Sequence, residues 1–195
     1  MANISKFDRE DVLEKAKNLF WQKGFLATST REIQTVMDMR PGSIYAAFGS
    51  KADLFNQTLI HYAQTSDSHL NTILQQHDSA WDGLKQYLRG LIVPCGENVA
   101  SELCMVMRTL AELDESHQET LDIAKDILTR VEHRFATIIG EAQAKGDLPA
   151  TLDKNLTAKK LQVNIIGLRS YLKATGDTQT VNQQLEEFFE QLQQG

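Results

Sequence analysis

The chain has 195 residues, 42% hydrophobic and 24% charged, with a formal net charge of −6, three prolines and 11 glycines. This much apolar content excludes a disordered chain, and so few breakers favour long helices over many short strands. Two cysteines exclude a disulfide framework, charges at Lys6, Asp8, Arg9, Glu10 and Asp11 exclude a signal peptide, and no run reaches the ~20 apolar residues of a membrane span, so a cytoplasmic protein without a membrane partner is expected.

The first helix is expected from about Asp8 to Lys23, because Val12, Ala16, Leu19 and Phe20 recur at spacings of three and four. Gly24 closes it and Phe25 packs back on it. Ser29-Thr30-Arg31-Glu32 has the form of a capping box opening a short helix, Thr30 to Met37, with Ile33, Val36 and Met37 inward. Asp38-Met39 makes a tight turn. Pro41 suits a first helical position and opens a third helix carrying Ile44, Tyr45 and Phe48, stopping near Gly49. Ser50 to Asp53 starts a fourth helix running to about Gln76.

The remainder reads as helix throughout. A fifth follows Asp78-Ser79 and ends before the Pro94-Cys95-Gly96 loop. A sixth covers about Ala100 to Leu113, placing Cys104 within it. Ser116-His117-Gln118-Glu119 reads as a second capping box, opening a long helix to Lys145 that Gly146 closes. The last two run from about Leu156 to Ala174, closed by Gly176, and from about Thr180 to Gln194. The expected fold is all-α with about nine helices. Two domains are expected, residues 1–52 and residues 53–195.

Two short helices joined by a tight turn and propped by a longer one have helix-turn-helix geometry, although an ordinary helical bundle shows the same pattern. Charge is divided along the same line. Residues 1–51 hold eight Lys/Arg and six Asp/Glu, while the remainder holds 12 and 20. A basic head on an acidic body is expected if the head alone meets phosphate; an unevenly charged solvated surface looks the same.

The stretch Gly24-Phe25, Thr28-Ser29-Thr30-Arg31-Glu32-Ile33 and Pro41-Gly42-Ser43-Ile44-Tyr45-Ala46-Ala47-Phe48-Gly49-Ser50-Lys51-Ala52-Asp53-Leu54-Phe55 resembles the DNA-binding domain of the TetR family over roughly residues 8–55. The resemblance implies a regulator, most often a repressor, that binds double-stranded operator DNA as a homodimer and is released by an effector, with residues 1–52 as its helix-turn-helix DNA-binding domain and residues 53–195 as its helical effector-binding and dimerisation domain. By that resemblance Thr28, Ser29, Thr30, Arg31, Arg40, Pro41, Gly42, Ser43, Tyr45, Ala46 and Lys51 are the candidate DNA-binding residues. The chemistry agrees: Gly42 allows close backbone approach, Tyr45 offers a hydroxyl at the edge of a ring, and Lys51 sits in a first helical turn that already favours anions. Tyr45 would equally serve as a core aromatic and Lys51 as a solvated lysine. Three positions depart from the family pattern: Asp38 where glycine is common, Arg40 in place of a Ser or Thr cap, and small Ala46 and Ala47. They imply a different operator, with Arg40 reading guanine or phosphate and an alanine methyl meeting thymine.

The family resemblance also places the dimer in the last two helices, through stripes of Leu161, Ile165, Leu168 and Leu172 and of Val181, Leu185, Phe188 and Leu192; a core within one chain would show the same stripes. It implies an unidentified small-molecule or electrophilic effector among the fifth to eighth helices, with Trp81, Tyr87, Cys104, Met105, Met107, Phe135 and Ile138 as candidate lining, each also suited to plain core. Cys104 to Glu112 resembles the matching region of thiol-based electrophile and oxidant sensors, with Lys173 as a neighbour able to activate the thiol; Cys104 also reads as a small buried hydrophobe. No phosphate-binding loop, nucleophile elbow, dinucleotide fingerprint or metal-ligand cluster is found, and the five histidines form no ligand pair, so neither an enzyme nor a cofactor or metal is expected.

Overall fold

The computed structural model describes residues 7–93 and 104–195. Among these the chain forms nine α-helices: α1 (Arg9–Lys23), α2 (Thr30–Met37), α3 (Pro41–Phe48), α4 (Lys51–Leu74), α5 (Ala80–Ile92), α6 (Met105–Glu112), α7 (Gln118–Lys145), α8 (Lys154–Thr175) and α9 (Thr178–Gln194), with one 3-10 turn, Glu115–His117. The all-α expectation holds. The expected Pro94–Gly96 loop with Cys95, and the start of the sixth helix at Ala100, lie outside the described residues.

The helix ends follow local chemistry. Asp8 caps α1 by accepting from the N–H groups of Glu10 and Asp11. Ser29 and Glu32 form the reciprocal capping box anticipated for α2. Ser50 and Asp53 repeat the device at α4: the Ser50 N–H donates to Asp53 Oδ2 (2.8 Å) and the Asp53 N–H to Ser50 Oγ (3.1 Å). Elsewhere the starts differ from expectation. Asp114, not Ser116, makes the cap before α7, because its carboxylate accepts from the Ser116 N–H and draws residues 115–117 into a 3-10 turn. Asp153 and Asp177 cap α8 and α9, so both begin two residues earlier than their apolar stripes suggested. Cys104 precedes α6 rather than lying inside it.

The helices assemble into two compact units, residues 7–65 with 105–127, and residues 66–93, 104 and 128–195. The first is built on α1, whose Val12, Ala16, Leu19 and Phe20 are buried. Phe20, Phe25 and Phe55 meet at its centre, with ring centroids 4.8 Å (Phe20–Phe55) and 5.0 Å (Phe25–Phe55) apart. Such pairs add about 0.5–1.5 kcal/mol each to their burial. Ile33 and Met37 of α2 and Ile44 and Phe48 of α3 complete this core. Val36, expected inward, is 39% exposed: Ile33 and Met37, one turn apart, take the packed face of this two-turn helix and leave Val36 on its flank.

The second unit holds one large cluster contributed by α5, α7, α8 and α9 together with Leu70 and Ile73. Trp81 packs edge-on against Phe189 at 5.6 Å. Arg89 of α5 makes a two-toothed ion pair with Glu186 of α9 (2.6 and 2.7 Å).

The α2 cap carries a pH signature. Glu32 is held at about 2, below its ordinary 4.5, first by the Lys23 ammonium and then by the Ser29 N–H and hydroxyl. Folding lowers this carboxyl, so its contribution is complete above 4.5 and is lost as pH falls towards about 2. Denaturant unfolding at a series of pH values across that window should show a smaller acid loss for Glu32→Gln than for the parent chain; equal losses would remove Glu32 from the acid response.

Candidate functional site

Asp38 sets the geometry of the α2–α3 pair. It adopts the left-handed conformation (φ 50°, ψ 44°) and its N–H returns to the carbonyls of Gln34 and Thr35, closing α2. A short polar side chain tolerates this conformation better than most. Arg40 then takes the extended backbone of a cap (φ −68°, ψ 146°) without making a side-chain cap bond, and Pro41 opens α3. The first turn of α3 is thus left without a competing side-chain acceptor, which suits an anion.

With Ile44 and Phe48 buried, α3 turns its other face to water: Gly42, Ser43, Tyr45 and Ala46 are exposed, beside exposed Arg40. Tyr45 is 39% exposed, so it is not core. At the start of α2, Ser29, Thr30 and Arg31 are exposed too. Thr28 is a correction. It is 1% exposed, and its hydroxyl donates to the Gly24 carbonyl (2.6 Å), so its side chain braces the corner and is not turned outward to a phosphate. Lys51 begins α4 with its Nζ 4.4 Å over the Phe25 ring, and burial lowers its pKa against the opposing pull of Glu112 and Glu32.

Two residues that support this face were not singled out in the sequence. Arg9 donates to the Ala47 carbonyl (3.4 Å) and to Gln57, and lies 4.6 Å over the Phe48 ring; Gln57 Nε2 donates to the Phe48 carbonyl (3.2 Å). They satisfy the C-terminal carbonyls of α3. Positions 38 and 48 residues apart leave no periodic signal.

The effector candidates separate. Trp81, Tyr87, Phe135 and Ile138 are buried together in the second unit's cluster, whereas Met105 and Met107 belong to the first unit. Tyr87 OH hydrogen-bonds Ser66 Oγ (2.7 Å), and burial raises its pKa, with Cys104 and buried Arg169 on α8 within electrostatic reach. Trp81 Nε1 and Gln162 Oε1 are buried without a hydrogen-bond partner. Cys104 is half-buried; Lys173 is exposed on α8.

The expected dimer stripes divide by burial. Leu161, Leu172, Val181, Leu185 and Leu192 are buried in the chain's own cluster, and Ile165, Leu168 and Phe188 pack against it. The outward face of α8 instead carries Leu156, Val163 and Tyr171, 51%, 69% and 44% exposed, with Gly167 between them.

Comparison with known proteins agrees with this architecture. Residues 12–58 match the family described as bacterial regulatory proteins, tetR family, and residues 82–188 match the tetracyclin repressor-like C-terminal domain. The chain is 31% identical over 163 residues to the HTH-type transcriptional repressor BdcR of Escherichia coli (strain K12), covering 79% of each. It superimposes on the regulator CifR, a cysteine mutant solved with 26-base-pair operator DNA, with a TM-score of 0.82 and 25% identity over 95% of this chain and 97% of that one. Escherichia coli NemR, solved in its reduced form, shares the fold (TM-score 0.80, 18% identity, 92% and 94% covered). The chain belongs to the TetR family of transcriptional regulators.

Because Tyr45 and Ala46 face water, Tyr45→Ala and Ala46→Asp should leave the unfolding free energy within about 0.5 kcal/mol of the parent. Each should weaken binding to duplex DNA by roughly tenfold or more, as losing one good contact does. Denaturant titration and fluorescence anisotropy read the two effects; unchanged DNA affinity in both variants would remove this face from the interface.

Proposed function

We propose that the protein is a repressor that occupies a palindromic operator as a homodimer and is released by an effector. The observation that carries this reading is the α3 face: an uncapped helix start beside Arg40, followed by exposed Gly42, Ser43, Tyr45 and Ala46, held rigidly over the Asp38 turn. Residues 1–52 meet DNA, with Ser29, Thr30, Arg31 and Lys51 flanking the groove-facing helix. Arg40 contacts guanine or phosphate, and an Ala46 or Ala47 methyl meets thymine. Residues 53–195 dimerise and receive the effector. Two recognition helices then sit about one DNA turn apart, ~34–36 Å. The protein acts on DNA in the cytoplasm as a binding protein and not as a catalyst. Among the described residues no helix is long and apolar enough to cross a membrane.

The dimer face is the outward side of α8 around Val163, Gly167 and Tyr171. Exposed apolar side chains around a glycine allow two helices to approach closely. Val163→Glu with Tyr171→Glu should convert the dimer to a folded monomer, read by light scattering with circular dichroism; a persistent dimer would place the interface elsewhere.

The effector core is the α5–α8 side of the second unit. The unpartnered Trp81 Nε1 and Gln162 Oε1 are groups that a polar ligand would satisfy, in the same unit as buried Arg169 and the Tyr87–Ser66 pair. Half-buried Cys104, next to this core and one residue before α6, is the proposed point for a thiol-reactive effector, with Lys173 available to assist. An effector needs to favour a non-binding spacing of the recognition helices by only a few kcal/mol to release DNA.

The test is fluorescence anisotropy of the reduced protein on a duplex from upstream of its own gene, against random DNA and at two salt concentrations. Preference for the specific duplex with a steep salt dependence is expected. Arg40→Ala should weaken it, and an oxidant should release DNA from the parent protein but not from Cys104→Ser. Equal affinity for both duplexes would overturn the operator reading; release from Cys104→Ser would overturn the thiol reading alone.

A further inference from the structure

The corner between α1 and α2 presents opposite needs a few ångströms apart. The last carbonyls of α1 lack helical donors, and the N–H groups just past Gly24 lack acceptors. Both are met from α6. Arg108 Nη1 donates to the carbonyls of Trp21 (2.7 Å) and Gln22 (3.2 Å). One turn on, the Glu112 carboxylate accepts from the Leu26 N–H (Oε1, 2.6 Å) and the Phe25 N–H (Oε2, 3.2 Å). The two side chains lie 3.9 Å from each other. Charge-assisted bonds to backbone groups of complementary sign are among the stronger ones available.

Gly24 is where the close approach becomes obligatory. It has φ +85°, and a Cβ built there would lie 2.3 Å from Glu112 Oε2. Only glycine admits both this backbone and this carboxylate. The corner is gripped from other sides as well. The Phe25 ring meets the His117 ring edge-on at 5.2 Å and lies under Lys51, and Thr120 of α7 donates to Asn56 of α4 (2.7 Å) in a buried pair. All these residues belong to the first compact unit.

We infer that Arg108 and Glu112 are positioning residues for DNA binding: they hold the α1–α2 corner, and with it the start of α2, in the register that DNA recognition requires, although they lie more than fifty residues beyond the helix-turn-helix and need not touch DNA. The effect on DNA affinity rests on the operator reading above; the ordering of the corner does not.

The test uses the full-length protein with Glu112→Gln, which keeps the shape but leaves a single neutral acceptor oxygen for two N–H donors, and with Gly24→Ala, which displaces an intact Glu112. Amide hydrogen exchange resolved by residue should rise at Phe25 and Leu26 by roughly tenfold to a hundredfold in each variant, with amides of α5, α8 and α9 unchanged. Operator affinity should fall by a similar factor with the salt slope unaltered, since no phosphate contact is lost. The double variant should be little worse than Gly24→Ala alone, because that change already displaces Glu112. Unchanged exchange at Phe25 and Leu26 overturns the clamp. Raised exchange with operator affinity intact overturns the positioning role, as does an affinity loss accompanied by an altered salt slope. A parent protein that shows no operator preference sinks the operator reading instead, while the exchange result still decides whether α6 orders the corner.

Discussion

A helix of two turns does not hold itself together in water. The helix that presents Gly42, Ser43, Tyr45 and Ala46 is eight residues long and so is the one before it. Everything else in the first compact unit can be read as the answer to that constraint. The α3 helix spends Ile44 and Phe48 on the core, which anchors it through two side chains one turn apart. Its own backbone ends are then handled by others: Pro41 removes one donor at the start, and Arg9 and Gln57 take the carbonyls at the end. The aromatic centre of Phe20, Phe25 and Phe55 supplies the rigid floor.

The same constraint explains why the unit recruits chain from beyond α4. The first 65 residues bring their own core, yet the α1–α2 corner retains backbone groups that local sequence leaves unmet. An arginine and a glutamate on α6 meet them, and α7 adds His117 and Thr120. The last backbone needs of the head are therefore met by a helix distant in sequence.

The second unit solves a different problem. Its helices are long, and their apolar stripes pack on one another around Trp81, Leu84, Leu88, Phe135 and Ile138. Within that apolar mass a small set of polar groups persists: Tyr87, Arg169, Gln162 and the indole nitrogen of Trp81. Burying such groups is costly unless they are paired; Tyr87 has Ser66, whereas the indole nitrogen of Trp81 and Gln162 Oε1 have no protein partner.

Sequence by itself determined the elements and their local punctuation. The 3.6-residue periodicity of Val12, Ala16, Leu19 and Phe20, the Ser29–Glu32 capping box, Gly24, Gly146 and Gly176 at helix ends and Pro41 at a helix start are all short-range signals, because they depend on neighbours within a turn or two. The spacing from Gly24 to Lys51 carried the family as well. What only the tertiary structure decided was the assignment of faces and distant partners. An apolar stripe does not say whether it meets its own chain or another, so Leu161, Val181 and Leu185 were indistinguishable from a dimer surface until α5 and α7 were packed against them and Val163 and Tyr171 left outside. A hydroxyl beside a helix start does not say which way it turns, so Thr28 was separated from Ser29 only by its burial. Glu112 and Arg108 carried no signal in the sequence, since a hydrogen bond to backbone more than eighty residues away leaves no pattern in the chain and exists only once the chain has folded around it.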